Sequence, residues 1–395
     1  MRIDRVRVDV VSMDRANAIY VRIDTDEGVT GTGETVLKRR DRSVETNLRE
    51  IGEYLIGKDP LAIEDHFEKL YRDSFWVGGP LHSSGRSAVD IALWDIAGQV
   101  HGVPIFRLLG GPTRPSIQTY AHVACGSEPA EFVANLRSLV ERGHRAAKTG
   151  LPLFYGQRAD PKVTRSGYFG TPGAIDRSLK ETEYLPTSSF DRIASWFEAA
   201  RDAFGDEIEL MVDCHGRLSP GNAARLSDVL EPFGLMFIEE PLPPESAVEY
   251  ARLSARSKTP IAAGERLVSI YDVRPWLEQG ALSVLQCDVV NCGGFTGARK
   301  IAAMAEAYYL PFAPHNPNGP IATLAAAHFL ASIPNALILE TVGSEADLAM
   351  FAEIVDHPPR IEGGVLTLDE TPGLGAALLP DVTERRPAGS FTATR

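Results

Sequence analysis

From residue 117 to residue 340 the chain repeats one unit, a short apolar segment that ends in an ionisable side chain. The segments fall at 118–123, 145–148, 208–213, 235–240, 260–265, 282–288, 310–315 and 336–340. Seven of the eight close on a group able to carry charge or move a proton: Lys148, Asp213, Glu239 or Glu240, Glu265, Asp288, His315 and Glu340. Amphipathic helical stretches separate most of them. Strand candidates alternating with helices predict a parallel (β/α) barrel rather than an open sheet. In a barrel the carboxyl ends of all strands converge on one face, where side chains are available for chemistry. One acid at a strand end is ordinary as a solvated or capping residue; seven such groups together are harder to dismiss.

The flanks read differently. Residues 1–116 look α+β, with alternating segments at 3–11 and 18–25, helical stretches at 47–55, 61–75 and 84–100, and a glycine stop at 108–111. Residues 117–355 carry the barrel rhythm. Residues 356–395 hold a short hairpin and turn that return to the first domain, then a loose tail. The connection at 149–190, rich in Gly, Pro, Thr and charge, is long enough to expect a lid or an excursion at the barrel mouth.

The formal charge of −13 over 395 residues argues against a nucleic-acid partner, because no basic patch is present to neutralise phosphates. An anionic substrate then needs local positive charge, such as a bound metal. No segment approaches a continuous apolar span of about 20 residues, and the N-terminal stretch lacks a signal-peptide core. A cytoplasmic enzyme without a membrane partner is expected. Cys125, Cys214, Cys287 and Cys292 show no paired spacing, so neither structural zinc nor a disulfide framework is expected.

Spacing sharpens the pattern. Asp213, Glu239 and Glu265 are separated by 26 residues each. A regular βα step brings three carboxylates from adjacent strands to equivalent heights, where their mutual repulsion calls for a cation. All-oxygen ligation favours Mg²⁺. The regular interval selects Glu239 over Glu240, which alternation turns toward the helix layer. Asp288 and His315 form a second unit: a carboxylate on one imidazole nitrogen fixes the tautomer and leaves the other to take a proton. The alternative for the same two residues is a structural hydrogen bond. Asp213 and His215 lie two apart, on one face of an extended chain. That pair is either a satisfied polar cluster at a strand end or part of a site.

The motifs MVDCHG, FIEEP, AAGER, QCDVVNCGG, PHNPNGP and LET, in this order, resemble the enolase superfamily, mandelate-racemase-like subgroup. Gly31-Thr-Gly-Glu34, Gly57-Lys-Asp-Pro60 and Ala92-Leu-Trp-Asp-Ile-Ala-Gly98 resemble its amino-terminal block. The resemblance covers about residues 1–380 apart from the loop after Lys148. It implies a modified (β/α)₇β barrel under an α+β capping domain made from both chain ends. It further implies metal ligands at Asp213, Glu239 and Glu265, a general-base dyad at Asp288 and His315, and an electrophilic acid, protonated, at Glu340. A homo-oligomer is implied as well.

The second strand departs from the subgroup's racemases, which carry Lys-x-Lys there. This chain reads Lys148-Thr149-Gly150, so the opposing base is missing while Lys148 remains available to the substrate carboxylate. Asp-x-His at the third strand instead resembles acid-sugar dehydratases, in which the histidine, here His215, is the acid for the departing 3-hydroxyl. PHNPNGPIA and HGRLSP are closer to the galactonate type; the long loop is similar to the mannonate group. The expected reaction removes the C2 proton of an aldonate and eliminates the 3-hydroxyl to give a 2-keto-3-deoxy acid, with the sugar's stereochemistry open. The alternatives are a cycloisomerase or epimerase on an acid sugar or its lactone, and a non-catalytic regulatory homologue. His122, Trp76, Tyr155 and Arg158 are the further candidates for substrate contacts. Cys214 should point into the helix layer as a small hydrophobe.

Overall fold

The computed structural model describes residues 1–14, 16–72, 75–154, 185, 187–342 and 344–388. The alternating N-terminal segments form an antiparallel sheet of β1 (Ile3–Ser12), β2 (Asn17–Thr25) and β3 (Thr30–Thr35), in that order. Helices Asp41–Leu55, Ile63–Arg72 and Pro80–His101 accompany it. Strand β3 carries glycine because helix Pro80–His101 lies directly against it. A Cβ on Gly33 would stand 1.8 Å from the carbonyl oxygen of Ala88, and one on Gly31 2.1 Å from that of Ala92. The expected glycine stop at 108–111 is displaced. The long helix ends at His101, where Gly102 takes the left-handed conformation at φ 68°, and a separate turn of helix, Ile105–Leu108, follows.

The second sheet runs through β4 (Ile117–Val123), β5 (Ala146–Gly150), β6 (Glu209–Asp213), β7 (Phe237–Glu239), β8 (Ile261–Ala263) and β9 (Val284–Leu285), each parallel to the next. Strand β10 (Leu339–Thr341) pairs parallel with β4. The expected strand at 310–315 does not form. Phe312 alone bridges to Leu285 on one side and Ala336 on the other. Pro311 and Pro314 flank it and have no N–H to extend a ladder. The path of pairings nevertheless leads round from β4 and back to it.

Alternation along the strands sets the site. Tyr120, Ala146, Met211, Phe237 and Ile338 form one apolar cluster inside the ring of strands. Two residues on, and so on the same face, come His122, Lys148, Asp213, Glu239 and Glu340. The inward face thus turns from apolar to ionisable at the carboxyl ends, and the parallel register holds it level: Asp213 sits opposite Glu239, and His122 opposite Lys148.

At the C-terminus, β11 (Ile361–Glu362) and β12 (Val365–Leu366) form the expected hairpin. It does not return to the first domain, because β12 pairs antiparallel with β4 at Ile117 and Gln118. The return is made by later residues: the Leu374 N–H donates to Asp95 at 2.9 Å, and Pro387 bridges to Val11. All four cysteines are buried and free, and Cys214 lies in the hydrophobic core as expected.

Candidate active site

Three of the expected carboxylates are each matched to a nitrogen. Lys148 Nζ lies 2.6 Å from Glu239 Oε2, His215 Nε2 3.1 Å from Asp213 Oδ2, and His315 Nε2 2.9 Å from Glu265 Oε2. His315 Nδ1 stands 2.8 Å from Asp288 Oδ2, so the dyad geometry is present. Asp288 is fixed in turn by the Val290 N–H and by Asn318 Nδ2, both donating at 2.9 Å. Glu340 accepts from the Asn316 N–H at 2.9 Å, meets Lys148 Nζ at 2.9 Å and makes a short contact with His122 Nε2.

Burial and mutual repulsion dominate the electrostatics. Burial raises the Glu239 carboxyl to about 7, against the lowering by Lys148. Burial likewise raises Asp213 to about 6, with Glu265 adding to it. Burial would raise Glu265 too, but His315 and His215 outweigh it and hold that carboxyl well below its ordinary range. Glu340 differs from expectation. Burial disfavours its charge, yet Lys148, His122 and His315 together hold it well below the usual carboxylate range, ionised rather than protonated. His315 is held well above its ordinary value because Glu265 and Glu340 overcome the effect of burial. His215 is pushed down to about 3, chiefly by burial.

The donor set suits a hard divalent cation: three carboxylates from consecutive strand ends, two of them buried at matched register. Among the described residues no three His, Cys, Asp or Glu side chains yet stand at chelating separation. Each carboxylate is turned toward its nitrogen partner, so binding an ion requires those pairs to open.

Other positions depart from the sequence expectation. Asp213 and His215 share one face, but not through extended alternation. Strand β6 ends at Asp213, and His215 sits at φ 49°, with its own N–H donating to Asp213 Oδ1 at 2.8 Å. Glu240, expected in the helix layer, leaves the alternation at φ 39° and pairs with Arg266, whose Nε also lies 3.3 Å from Glu265. Lys148 is wholly buried, its ammonium on Glu239 and Glu340, so a substrate carboxylate could reach it only if those pairs open. His122 comes to the mouth beside Glu340. Trp76 is 83% exposed and packs edge-on against Phe75 at 5.2 Å, with no contact to the carboxylate cluster among the described residues. Tyr155, Arg158 and most of 149–190 lie outside the described residues. Sequence reasoning missed Asn316, Asn318 and Gln286, which donates to Glu239 at 2.9 Å; the asparagines of PHNPNGP were the available signal.

A ring of parallel strands with ionisable groups gathered at its carboxyl ends, under an α+β cap, defines a capped α/β-barrel enzyme. Residues 2–110 match the mandelate racemase / muconate lactonizing enzyme N-terminal domain, and residues 131–382 the enolase C-terminal domain-like family. The chain belongs to the mandelate racemase/muconate lactonizing enzyme family of the enolase superfamily. It is 38% identical over 363 residues to D-galactonate dehydratase of Ralstonia pickettii, covering 90% of this chain and 87% of the relative. It is 38% identical over 366 residues to D-galactonate dehydratase of Cronobacter sakazakii, covering 91% and 88%. Among solved structures, an enolase of the mandelate racemase subgroup from Agrobacterium tumefaciens superposes with a TM-score of 0.83 at 32% identity, covering 98% of this chain and 97% of that one. A putative dehydratase from Zymomonas mobilis superposes with a TM-score of 0.88 at 27% identity, covering 98% of each chain.

Proposed function

We propose that this enzyme is a Mg²⁺-dependent acid-sugar dehydratase that takes an aldonate to its 2-keto-3-deoxy acid, with D-galactonate the first substrate to test. The observation that carries the reading is the placing of two histidines on one carboxylate row. His215 meets Asp213 and His315 meets Glu265, while the position that would hold a second basic lysine is Gly150. One base and one separate acid suit an elimination; a two-base racemase needs a base on each face of the carbon.

His315, oriented by Asp288, takes the C2 proton through Nε2. Mg²⁺ held by Asp213, Glu239 and Glu265 would stabilise charge developing on the substrate carboxylate and offset the carboxylate charge that keeps His315 protonated. His215, in its protonated form, gives a proton to the 3-hydroxyl as the C3–O bond breaks; water leaves, and the resulting enol loses its C2 hydroxyl proton and takes one at C3 to become the 2-keto acid. Burial keeps His215 neutral in the structure, so this role needs substrate charge nearby to favour the imidazolium. Lys148 keeps Glu239 and Glu340 in place from behind, and Asn316 fixes the second oxygen of Glu340.

The test is a panel of aldonates and diacid sugars assayed with Mg²⁺ by 2-keto-acid formation, D-galactonate included. With the active substrate, His315→Asn is expected to lose both turnover and deuterium exchange at C2. His215→Asn is expected to lose about 10²-fold or more in turnover while C2 exchange persists. Full turnover by His315→Asn would sink the assignment, and C2 exchange without 2-keto-acid formation across the panel would favour cycloisomerisation or epimerisation.

A further inference from the structure

A second cleft lies outside the barrel mouth, on the seam between cap and barrel. It is a small cavity of about 30 Å³, lined by Phe67, Glu68, Tyr71, Arg86, Cys292 and Lys300 among others. Arg86 is the residue that calls for explanation. It projects from helix Pro80–His101, is only 3% exposed, and has no hydrogen bond or ion pair among the described residues. Its Nε is fully buried without a partner. The guanidinium lies over the ring of Phe67 at 4.3 Å and that of Tyr71 at 4.8 Å. Those rings attract its charge but do not satisfy the Nε–H.

A buried charge without hydrogen-bonding partners is rare, because desolvation is costly unless a counter-charge compensates it. Asp90, one turn further along the helix, offsets part of that charge but gives Arg86 no hydrogen bond. It accepts from the Thr296 N–H at 3.0 Å and lies beyond ion-pair distance of Arg86. Glu68 borders the cleft, but Arg72 at 3.0 Å and Lys300 at 3.6 Å already take its charge. The cleft therefore offers a fork of guanidinium donors between aromatic walls, while the nearby Lys300 ammonium is paired with Glu64 and Glu68. That combination suits the planar or tetrahedral oxygens of a small anion. Burial pushes Arg86 down from its ordinary value, and Asp90, Tyr71 and Glu68 offset that only in part.

We infer that Arg86 forms the base of a binding site for a small oxyanion, of the carboxylate or phosphate class, distinct from the carboxylate cluster. The cleft touches the machinery only indirectly. The Cys292 N–H donates to the main-chain carbonyl of Asp288 at 2.8 Å, so one wall is the turn that carries the dyad's aspartate. An anion there would tie the cap helices to that turn.

The probe is inorganic phosphate, added to the full chain in chelator-treated buffer against chloride at equal ionic strength. Hydrogen exchange is followed in peptides covering 66–72 and 292–300. Phosphate is expected to slow exchange about threefold in these segments and to raise Tm by about 2 °C near saturation. Arg86→Met keeps the volume and removes the unpaired charge; it is expected to match or exceed the wild type's stability in chloride and to lose the phosphate response. A variant less stable in chloride, or one that keeps the full response, overturns the proposal. If the variant does not fold, wild-type exchange decides alone: protection absent from both segments rejects the site.

Discussion

Lys148 is the residue on which the carboxylate cluster balances. It is buried, and its ammonium sits 2.6 Å from Glu239, 2.9 Å from Glu340 and 3.9 Å from Asp213. Removing one partner of a buried ionic cluster leaves the others uncompensated, which typically costs about 3–5 kcal/mol. Lys148→Met is therefore expected to lose about 3 kcal/mol in urea unfolding when divalent cations are chelated. If Asp213, Glu239 and Glu265 bind Mg²⁺ as proposed, adding the ion should restore part of that loss, and more than it stabilises the wild type. An equal Mg²⁺ effect on both proteins would detach Lys148 from the metal ligands.

At the scale of elements, the strand ends were the legible part. His122, Lys148, Asp213, Glu239, His315 and Glu340 each follow an inward apolar residue by two, and that alternation is visible in the sequence alone. Three features were not legible, for different physical reasons. The strand at 310–315 is reduced by its prolines to two isolated bridges at Phe312, although its apolar pattern resembles the others. His215 and Glu240 turn through positive φ without glycine, a conformation that tertiary contacts impose and no residue preference announces. The hairpin of β11 and β12 reads as a hairpin, but nothing in its few residues specifies β4 as its partner. The glycines of β3 are the opposite case, legible in the motif and explained only by the helix behind them. Gly33→Ala places a methyl 1.8 Å from a carbonyl oxygen, so strand and helix must separate. A loss of about 3 kcal/mol or more is expected, at the upper end of overpacking, measured by urea unfolding. A neutral effect would mean that the strand and helix are packed more loosely than described.

Across the whole molecule, buried cap carboxylates hold distant segments by their backbone N–H groups. Glu34 accepts from Gly319 at 2.7 Å and Ala322 at 2.9 Å, at the start of barrel helix Pro320–Ser332. Asp90 accepts from Thr296, and Asp95 from Thr32 and Leu374, both at 2.9 Å. Burial outweighs these bonds and raises Glu34 and Asp90 to about 7 and Asp95 to about 6. With folded values above unfolded ones, the folded protein binds more protons between about pH 4 and pH 7. The stability from these groups is therefore complete below their unfolded pKa and is lost as pH rises through the folded values. Other carboxyls act in the opposite sense, so the informative quantity is the difference between variant and wild type. Glu34→Gln keeps one acceptor oxygen and cannot ionise, and Asp90→Asn does the same at the other contact. Each is expected to flatten the decline in unfolding free energy between pH 5 and pH 8 by on the order of 2 kcal/mol, read from urea midpoints and slopes at both pH values. Parallel pH profiles for variant and wild type would mean that these carboxyls ionise normally within the seam, and that N–H donation there outweighs burial.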